Sequence, residues 1–232
     1  MDFEEYVRQG EPEKKEKGYV WQMAIGLQQV DGLKPSSYLI ETAKQNIEGD
    51  ITFEEVKHRI DNYYIAKPVK DAADRTEEAD KVSARIAEIL SERTFTFSPA
   101  EYITIHKRLF EGIYHFAGKI RDYNISNVEW ALNGESVYYA SADSIRATLD
   151  YDFEQERKFN YQDINLSQTV QHITIFYQAY GRFMHLARAI QEPLPCLPLN
   201  ICGHLVSVSV TTCLPSIRGT SETRLFEPIT MT

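Results

Sequence analysis

The sequence predicts an all-α protein with one β-hairpin, a small three-helix module near its start and an irregular tail. Apolar residues recur every three or four positions through most of the chain, which is the spacing of a buried helix face. Helix-capping residues precede several of these stripes. The Asn133-Gly134 pair lies between two segments of alternating character, and this dipeptide is typical of a tight hairpin turn.

The chain has 232 residues and a formal net charge of -9 at pH 7. This charge argues against a nucleic-acid partner that is bound through its phosphates. No apolar run has the length of a membrane-spanning helix, so we expect no membrane partner. The charged segment 1–18 lacks the apolar core of a signal peptide, and it predicts a flexible N-terminus on a cytoplasmic protein. Cys196, Cys202 and Cys213 fit neither a zinc site nor a disulfide framework, so we expect no metal site.

Residues 19–64 predict a compact module of three helices. The first helix stops at Gly32, because glycine readily adopts the left-handed conformation that ends a helix. Pro35 suits the first turn of the second helix. Thr52 and Glu55 have the spacing of a capping box and open the third helix.

Segment 65–79 carries mixed charges and a proline, which predicts a linker. Helical patterns resume at about Asp80, again at Asp143 and once more at Ser167. The run Ser98-Pro99-Ala100-Glu101 predicts a helix start, since it has a cap, a proline at the first helical position and a capping glutamate.

A family resemblance is carried by the segment IHKRLFEGIYHFAGKIRDYNIS and by SADSIRATLDYDFEQE after it. Residues 80–176, which contain both, resemble a Fic (Fido) domain, whose members share a helix ending in Leu-Phe-x-x-x-Tyr-x-Phe-Ala-Gly, then Lys-Ile-Arg and a β-hairpin. The segment AIGLQQVDGLKPSSYL, within 19–64, resembles the antitoxin-like helical module that accompanies some Fic domains. The matching residues of the Fic pattern are Leu109, Phe110, Tyr114, Phe116, Ala117, Gly118, Ile120 and Arg121.

The resemblance implies a Fic-type helical bundle in which the hairpin is a flap. Fic enzymes transfer AMP from ATP, with Mg²⁺, to a hydroxyl side chain of a target protein. The flap aligns the target segment by strand-like pairing. The flap residues implied here are Ile120, Arg121, Asn133, Gly134, Val137 and Tyr138.

The catalytic motif of the family, His-Pro-Phe-x-x-Gly-Asn-Gly-Arg, is missing. Its histidine acts as general base, and its loop and the following helix N-terminus hold the phosphates. The motif should follow shortly after Phe176, yet the first histidine after that position, His185, lies in FMHLARAIQE without the proline, the phenylalanine or a glycine loop. We interpret His185 as an ordinary histidine and predict no catalytic residue in this chain.

Residues 177–232 have a different composition from the rest of the chain. They hold all three cysteines, and only five charged residues follow position 190. A short β-rich or disordered tail would have this composition. We favour an aberrant tail that results from the loss of one base at the codon of Phe176.

The genetic code permits this frameshift to be tested on the sequence. Each restored codon takes the last base of one present codon and the first two bases of the next. With permitted third bases, the sequence from Tyr177 onward can then read SGLWQIHA, two further residues and EGNTRTTAVFAIKYLRSLGF. This text includes HAFxEGNTR, a variant of the Fic motif. We therefore expect the chain as written not to transfer AMP, and ATP and Mg²⁺ to be cofactors of the family.

The N-terminal module suggests an intramolecular regulatory contact. In inhibited Fic proteins a helix carries Ser/Thr-x-x-x-Glu-Gly/Asn, and its glutamate pairs with a motif arginine. Here Leu27 replaces the hydroxyl residue and Asp31 replaces the glutamate before Gly32. Asp31 and Gly32 are therefore candidate regulatory residues, and the alternative is that they only end a helix.

Three functional interpretations follow from the sequence. The first is a Fic-type protein adenylyltransferase in a frameshifted, inactive form. The second is a non-catalytic protein-interaction or antitoxin-like module that uses the flap and the N-terminal helices. The third, a function of the tail itself, is the least favoured, since CLPLNICGHLVSVSVTTCLPS has no metal, nucleotide or nucleophile pattern.

Overall fold

The computed structural model describes residues 2–30, 32–69, 71, 74–92, 96–124, 126–128, 136–138, 141–161, 164–165 and 167–172. Within these ranges the chain is mainly helical, which confirms the all-α class at that level. The helices are α1 (Phe3–Gln9), α2 (Pro12–Val30), α3 (Ser37–Glu48), α4 (Phe53–Ala66), α5 (Thr76–Ser91), α6 (Pro99–Phe110) and α7 (Ile145–Lys158). Residues 167–172 are also helical, and the strands β1 (Ser126–Val128) and β2 (Ser136–Tyr138) lie between α6 and α7.

The N-terminal segment 1–18, predicted to be flexible, forms α1 and the start of α2 instead. Asp2 caps α1, since its carboxylate accepts a hydrogen bond from the Phe3 N–H at 2.6 Å. Val7 is buried and lies so close to Gly18 that an added Cβ on the glycine would sit 2.8 Å from Val7 Cγ1. The charged composition was misleading because the charges line the outer faces of two helices, while Val7 is buried and Phe3 and Tyr6 are partly buried against the core.

The ends of the next helices follow the predicted capping chemistry with one correction. Gly32 adopts a φ of 74°, which ends α2 as expected. Ser36 is the N-cap of α3, so Pro35 precedes the helix and does not lie in its first turn. Thr52 and Glu55 form the predicted capping box at the start of α4, with both hydrogen bonds present.

Helix α5 begins earlier than predicted, whereas α6 begins at the predicted position. Helix α5 starts at Thr76, so the end of the predicted linker 65–79 is the first turn of a helix. Helix α6 starts as predicted: Ser98 Oγ accepts a hydrogen bond from the Glu101 N–H at 3.1 Å, and Pro99 is at the first turn.

One hydrophobic core joins the predicted three-helix module to the helices after it. Trp21 at its centre is fully buried, and its Nε1–H donates to Asn46 Oδ1 at 3.0 Å. The predicted boundary between 19–64 and 80–176 therefore runs through a shared core. Its largest aliphatic contributions come from α3, α4, α5 and α6 through Leu39, Ile47, Val56, Ile60, Val82, Ile86, Ile105 and Leu109.

Helix α7 packs on α6 through a separate apolar stripe. Ile145, Leu149 and Phe153 are buried at helical spacing on one face. The Phe153 ring lies with its centroid 4.6 Å from that of Phe97 and 6.4 Å from that of Tyr102, so α7 covers the first turns of α6.

Candidate functional site

Of the residues that match the Fic pattern, Leu109 and Phe110 end α6, and the others lie in the connection after it. This connection, residues 111–121, we term the pre-hairpin turn. Gly112 and Gly118 adopt φ values of 76° and 71°, a region that favours glycine. The Tyr114 N–H donates to the Phe110 carbonyl at 3.0 Å. The chain therefore folds back tightly against the C-terminal end of α6 before it enters the hairpin.

Gly118 occupies a position where no other residue fits without strain. A Cβ added to Gly118 would lie 2.6 Å from Lys107 Cβ and 3.3 Å from Lys107 Cα. The Gly118 N–H donates to Nδ1 of His106 at 2.8 Å. Close backbone approach and positive φ together explain a glycine here.

His106 is buried beneath the pre-hairpin turn, with 1% of its surface exposed. Because Nδ1 accepts the Gly118 N–H, the neutral imidazole carries its proton on Nε2. This Nε2 has no hydrogen-bond partner within the part of the chain that the structure describes. Burial lowers the pKa of His106 to about 4, so the ring is neutral at physiological pH. Its accepting nitrogen is already occupied, which excludes His106 as a general base.

The base of the hairpin is closed by two polar side chains. Arg121 is buried, and its Nη1 donates to the Tyr123 carbonyl at 2.6 Å. Burial lowers the pKa of the Arg121 guanidinium, although an arginine remains charged in proteins. Asn124 Oδ1 accepts from the Ala142 N–H at 2.8 Å and so joins the segments before and after the two strands. Arg121, a predicted target-contact residue, thus lies in the hairpin base and is not exposed, whereas Ile120 is half-buried.

The two strands that follow pair in antiparallel fashion. The Cα partners are Ser126 with Tyr138, Asn127 with Val137, and Val128 with Ser136. Val137 and Tyr138 therefore lie in β2, within the two-stranded ladder. The turn predicted at Asn133-Gly134 lies outside the described residues.

A part-buried ion pair contacts the pre-hairpin turn from the start of α5. Arg75 donates to both carboxylate oxygens of Glu78, from Nε at 2.7 Å and from Nη2 at 2.6 Å. The same Nη2 lies 3.4 Å from the hydroxyl oxygen of Tyr114. Burial, and then the charge of Glu78, raise the pKa of Tyr114 to about 12, so its phenol is neutral at physiological pH.

Of the two candidate regulatory residues, the structure describes only Gly32. The Gly32 N–H donates to the Gln29 carbonyl at 2.9 Å, and the Leu33 N–H donates to the Gln28 carbonyl at 3.0 Å. These bonds satisfy the last carbonyls of α2, so Gly32 has a full structural role as a helix stop. Asp31 lies outside the described residues.

The region where the family's catalytic motif would be expected lies outside the described residues. Phe176, His185 and the tail 177–232 lie outside the described residues. Among the residues that are described, no group of three His, Cys, Asp or Glu side chains could hold a metal ion. None of the described helices is long and apolar enough to cross a membrane.

The chain gives no match to protein-family models, to curated proteins or to solved structures. The resemblance of residues 80–176 to a Fic domain therefore stays a prediction from the sequence.

Several residues of this site were not identified from the sequence. His106 could have been found, because it lies four residues from both Tyr102 and Phe110 on an apolar stripe, which indicates burial. The contact of Arg75 with Tyr114 joins residues far apart in sequence, and no local pattern signals it. Asn124 likewise acts across the hairpin, on a partner that only the fold brings near.

Proposed function

We propose that this chain derives from a Fic-type protein adenylyltransferase and keeps the protein-binding hairpin of that family without its catalytic motif. The observation that carries the proposal is the environment of Gly118. The glycine of the sequence pattern stands where positive φ and contact with Lys107 require one. The arginine of the pattern, Arg121, is buried at the hairpin base, where a smaller side chain would leave the Tyr123 carbonyl without this donor.

The family activity is transfer of AMP from ATP to a hydroxyl side chain of a target protein. Its motif supplies a histidine base, a loop for the phosphates and an arginine, and the sequence lacks all three. No described cluster of residues fits Mg²⁺, and the accepting nitrogen of His106 is occupied by Gly118. We therefore assign no catalytic step to this chain and propose that it is inactive as written.

Labelling with radioactive ATP and Mg²⁺ in a cell lysate tests the proposal. The purified chain is compared with a repaired chain, in which one base is restored at the codon of Phe176 so that the frame encodes HAFxEGNTR. We expect labelled protein with the repaired chain and none with the chain as written. A repaired chain whose motif histidine is replaced by alanine is the matched control, and it should also be silent.

Two results would contradict the proposal. Labelling that depends on the purified chain as written would show that it carries a catalytic site of its own. The second contradicting result would come from sequencing of the coding DNA around codon 176, if the codons there cannot encode the motif in any reading frame.

The second candidate function is a protein-interaction or antitoxin-like module that never used ATP. It is supported by the hairpin, since β1 and β2 pair only with each other among the described strands and leave their outer edges available to an extended segment. Titration calorimetry of the repaired chain with ATP and Mg²⁺ separates the two candidates. Heat of binding is expected from the enzyme and not from the module.

Regulation by the N-terminal helices belongs to the same proposal. Removal of residues 1–64 would also remove much of the shared core, so loss of activity after that deletion would be ambiguous. The substitution Asp31→Ala in the repaired chain is the sharper test, with Gln29→Ala as a control on the same turn. Increased labelling with Asp31→Ala alone would support an inhibitory contact, and equal labelling would leave Asp31 as part of a helix end.

A further inference from the structure

The first turn of α5 carries two buried carboxylates that bind different parts of the molecule. Asp80 is fully buried and binds the N-terminal helices: its Oδ1 accepts from the Ser36 N–H at 2.8 Å, and its Oδ2 accepts from the Tyr64 hydroxyl at 2.7 Å. Glu78 binds Arg75, which in turn contacts the Tyr114 hydroxyl. The two carboxylates are two residues apart on one helical turn. Asp80 faces the N-terminal helices, and Glu78 faces the pre-hairpin turn.

Tyr114 is well placed to transmit the position of α5. Its ring stacks on that of Phe116, with centroids 4.9 Å apart and planes 10° from parallel. Its carbonyl accepts from the Ala117 N–H at 3.1 Å. The aromatic contact and the backbone bond together leave this part of the turn little freedom to move independently of Tyr114.

Further hydrogen bonds lie between Tyr114 and the hairpin base. The Lys119 N–H donates to the Phe116 carbonyl at 2.9 Å, and Gly118 is held by His106. Arg121 then binds the Tyr123 carbonyl directly before the strands. The step from Tyr114 to Phe116 is a ring contact, and the covalent chain through Ile120 joins Lys119 to Arg121.

We infer that Tyr114 is a positioning residue, through which the first turn of α5 couples the N-terminal helices to the orientation of the hairpin. A disturbance of the Asp80 contacts in α3 and α4 shifts α5, and the shift reaches the strands through Glu78, Arg75 and Tyr114. The functional consequence would be control over the orientation in which the hairpin binds a protein segment. This consequence rests on the proposed function. The coupling itself does not, so it can be tested without ATP or a target.

Hydrogen–deuterium exchange of the full chain, resolved at the amides of β1 and β2, tests the coupling. Tyr114→Phe removes one hydroxyl and should speed exchange of these amides about two- to tenfold, the effect expected when one hydrogen bond is lost from a local opening unit. Tyr64→Phe, on the N-terminal side of α5, should speed the same amides to a similar degree. In the double variant the strand amides should exchange at no more than about twice their rate in either single variant, because both substitutions act through one connection.

The matched control is Tyr151→Phe, at a tyrosine that is 60% exposed on α7. It should leave the strand amides unchanged. The inference is overturned if Tyr64→Phe speeds exchange only within α3 and α4, if Tyr114→Phe leaves the strands unchanged, or if all amides accelerate equally. The last outcome would show a loss of global stability and no specific coupling. These results are independent of the ATP labelling, so failure of the inference and failure of the proposed function are distinguishable.

Discussion

A single glycine gives the sharpest test of the pre-hairpin turn. Gly118→Ala places a Cβ 2.6 Å from Lys107 Cβ in a backbone with φ of 71°. The left-handed conformation alone costs a non-glycine residue about 1–2 kcal/mol, and the overlap adds to it because Lys107 is held by the backbone of α6. We expect a loss of about 2–4 kcal/mol in the free energy of unfolding, measured by urea denaturation.

The chain provides a matched control for this substitution. Gly32 has nearly the same φ, 74°, but an added Cβ would meet nothing within 4 Å. Gly32→Ala should therefore cost only the conformational part, about 1–2 kcal/mol. Equal losses at both positions would mean that the approach to Lys107 contributes nothing.

His106 makes stability depend on acid. Its pKa is about 4 when folded, below the ordinary value of 6.5, so the folded state holds the neutral ring and protonation favours unfolding. The neutral His106 ring therefore contributes about 3 kcal/mol to the free energy of unfolding above pH 6.5, and this contribution is lost as the pH falls towards 4. Unfolding free energies measured between pH 7 and pH 4 should fall less steeply in His106→Asn, which keeps an oxygen acceptor for the Gly118 N–H. His58→Asn, at an exposed histidine, should retain the full slope, and an unchanged slope in His106→Asn would contradict the assignment.

At the scale of elements, Asp80 joins three helices at one carboxylate. It accepts hydrogen bonds from the backbone and hydroxyl of Ser36, the N-cap of α3, and from Tyr64 in α4. Burial raises the pKa of Asp80, which these bonds oppose. Asp80→Ala would take the acceptor from one buried donor, the Tyr64 hydroxyl, and from two part-buried donors on Ser36, and we expect a loss of about 3–5 kcal/mol in unfolding free energy.

The comparison with Tyr64→Phe separates the network from a single bond. This variant removes one donor and leaves Asp80 bound to Ser36, so the expected loss is about 1 kcal/mol. Chemical denaturation of both variants measures the difference. If both variants lost a similar amount of unfolding free energy, the bonds to Ser36 would add little, and the Asp80 carboxylate would not be a junction of three helices.

The elements were predictable from the sequence wherever the signal is local. The stop at Gly32, the capping box of Thr52 and Glu55, and the start of α6 at Ser98 all depend on residues within one turn of each other, and all were confirmed. The helices of segment 1–18 were missed because charge concealed their narrow apolar faces. The contacts of the candidate site were also missed, because Arg75 with Tyr114, and Asn124 with Ala142, meet only after folding.

On the scale of the whole molecule, the shared core changes the predicted organisation. The sequence separates a module at 19–64 from a domain at 80–176, yet the buried residues of α2 to α6 form one cluster. Asp80 adds a polar connection across the same boundary. An antitoxin-like module that dissociates as a unit would expose the shared core and the Asp80 carboxylate. Regulation by displacement of these helices is therefore disfavoured on energetic grounds.

A shared core predicts one cooperative unfolding transition for the helices on both sides of the predicted boundary. In a Trp130→Phe background, the fluorescence of Trp21 reports on the packing of α2 against α3 and α4, since Trp21 is fully buried, bonded to Asn46 and stacked near Phe53. Circular dichroism at the helix band reports on all helices together. The two urea midpoints should coincide, because small domains with one core unfold in a two-state manner. A Trp21 transition that precedes or follows the helical transition would show that residues 19–64 fold as a separate unit, as the sequence alone had suggested.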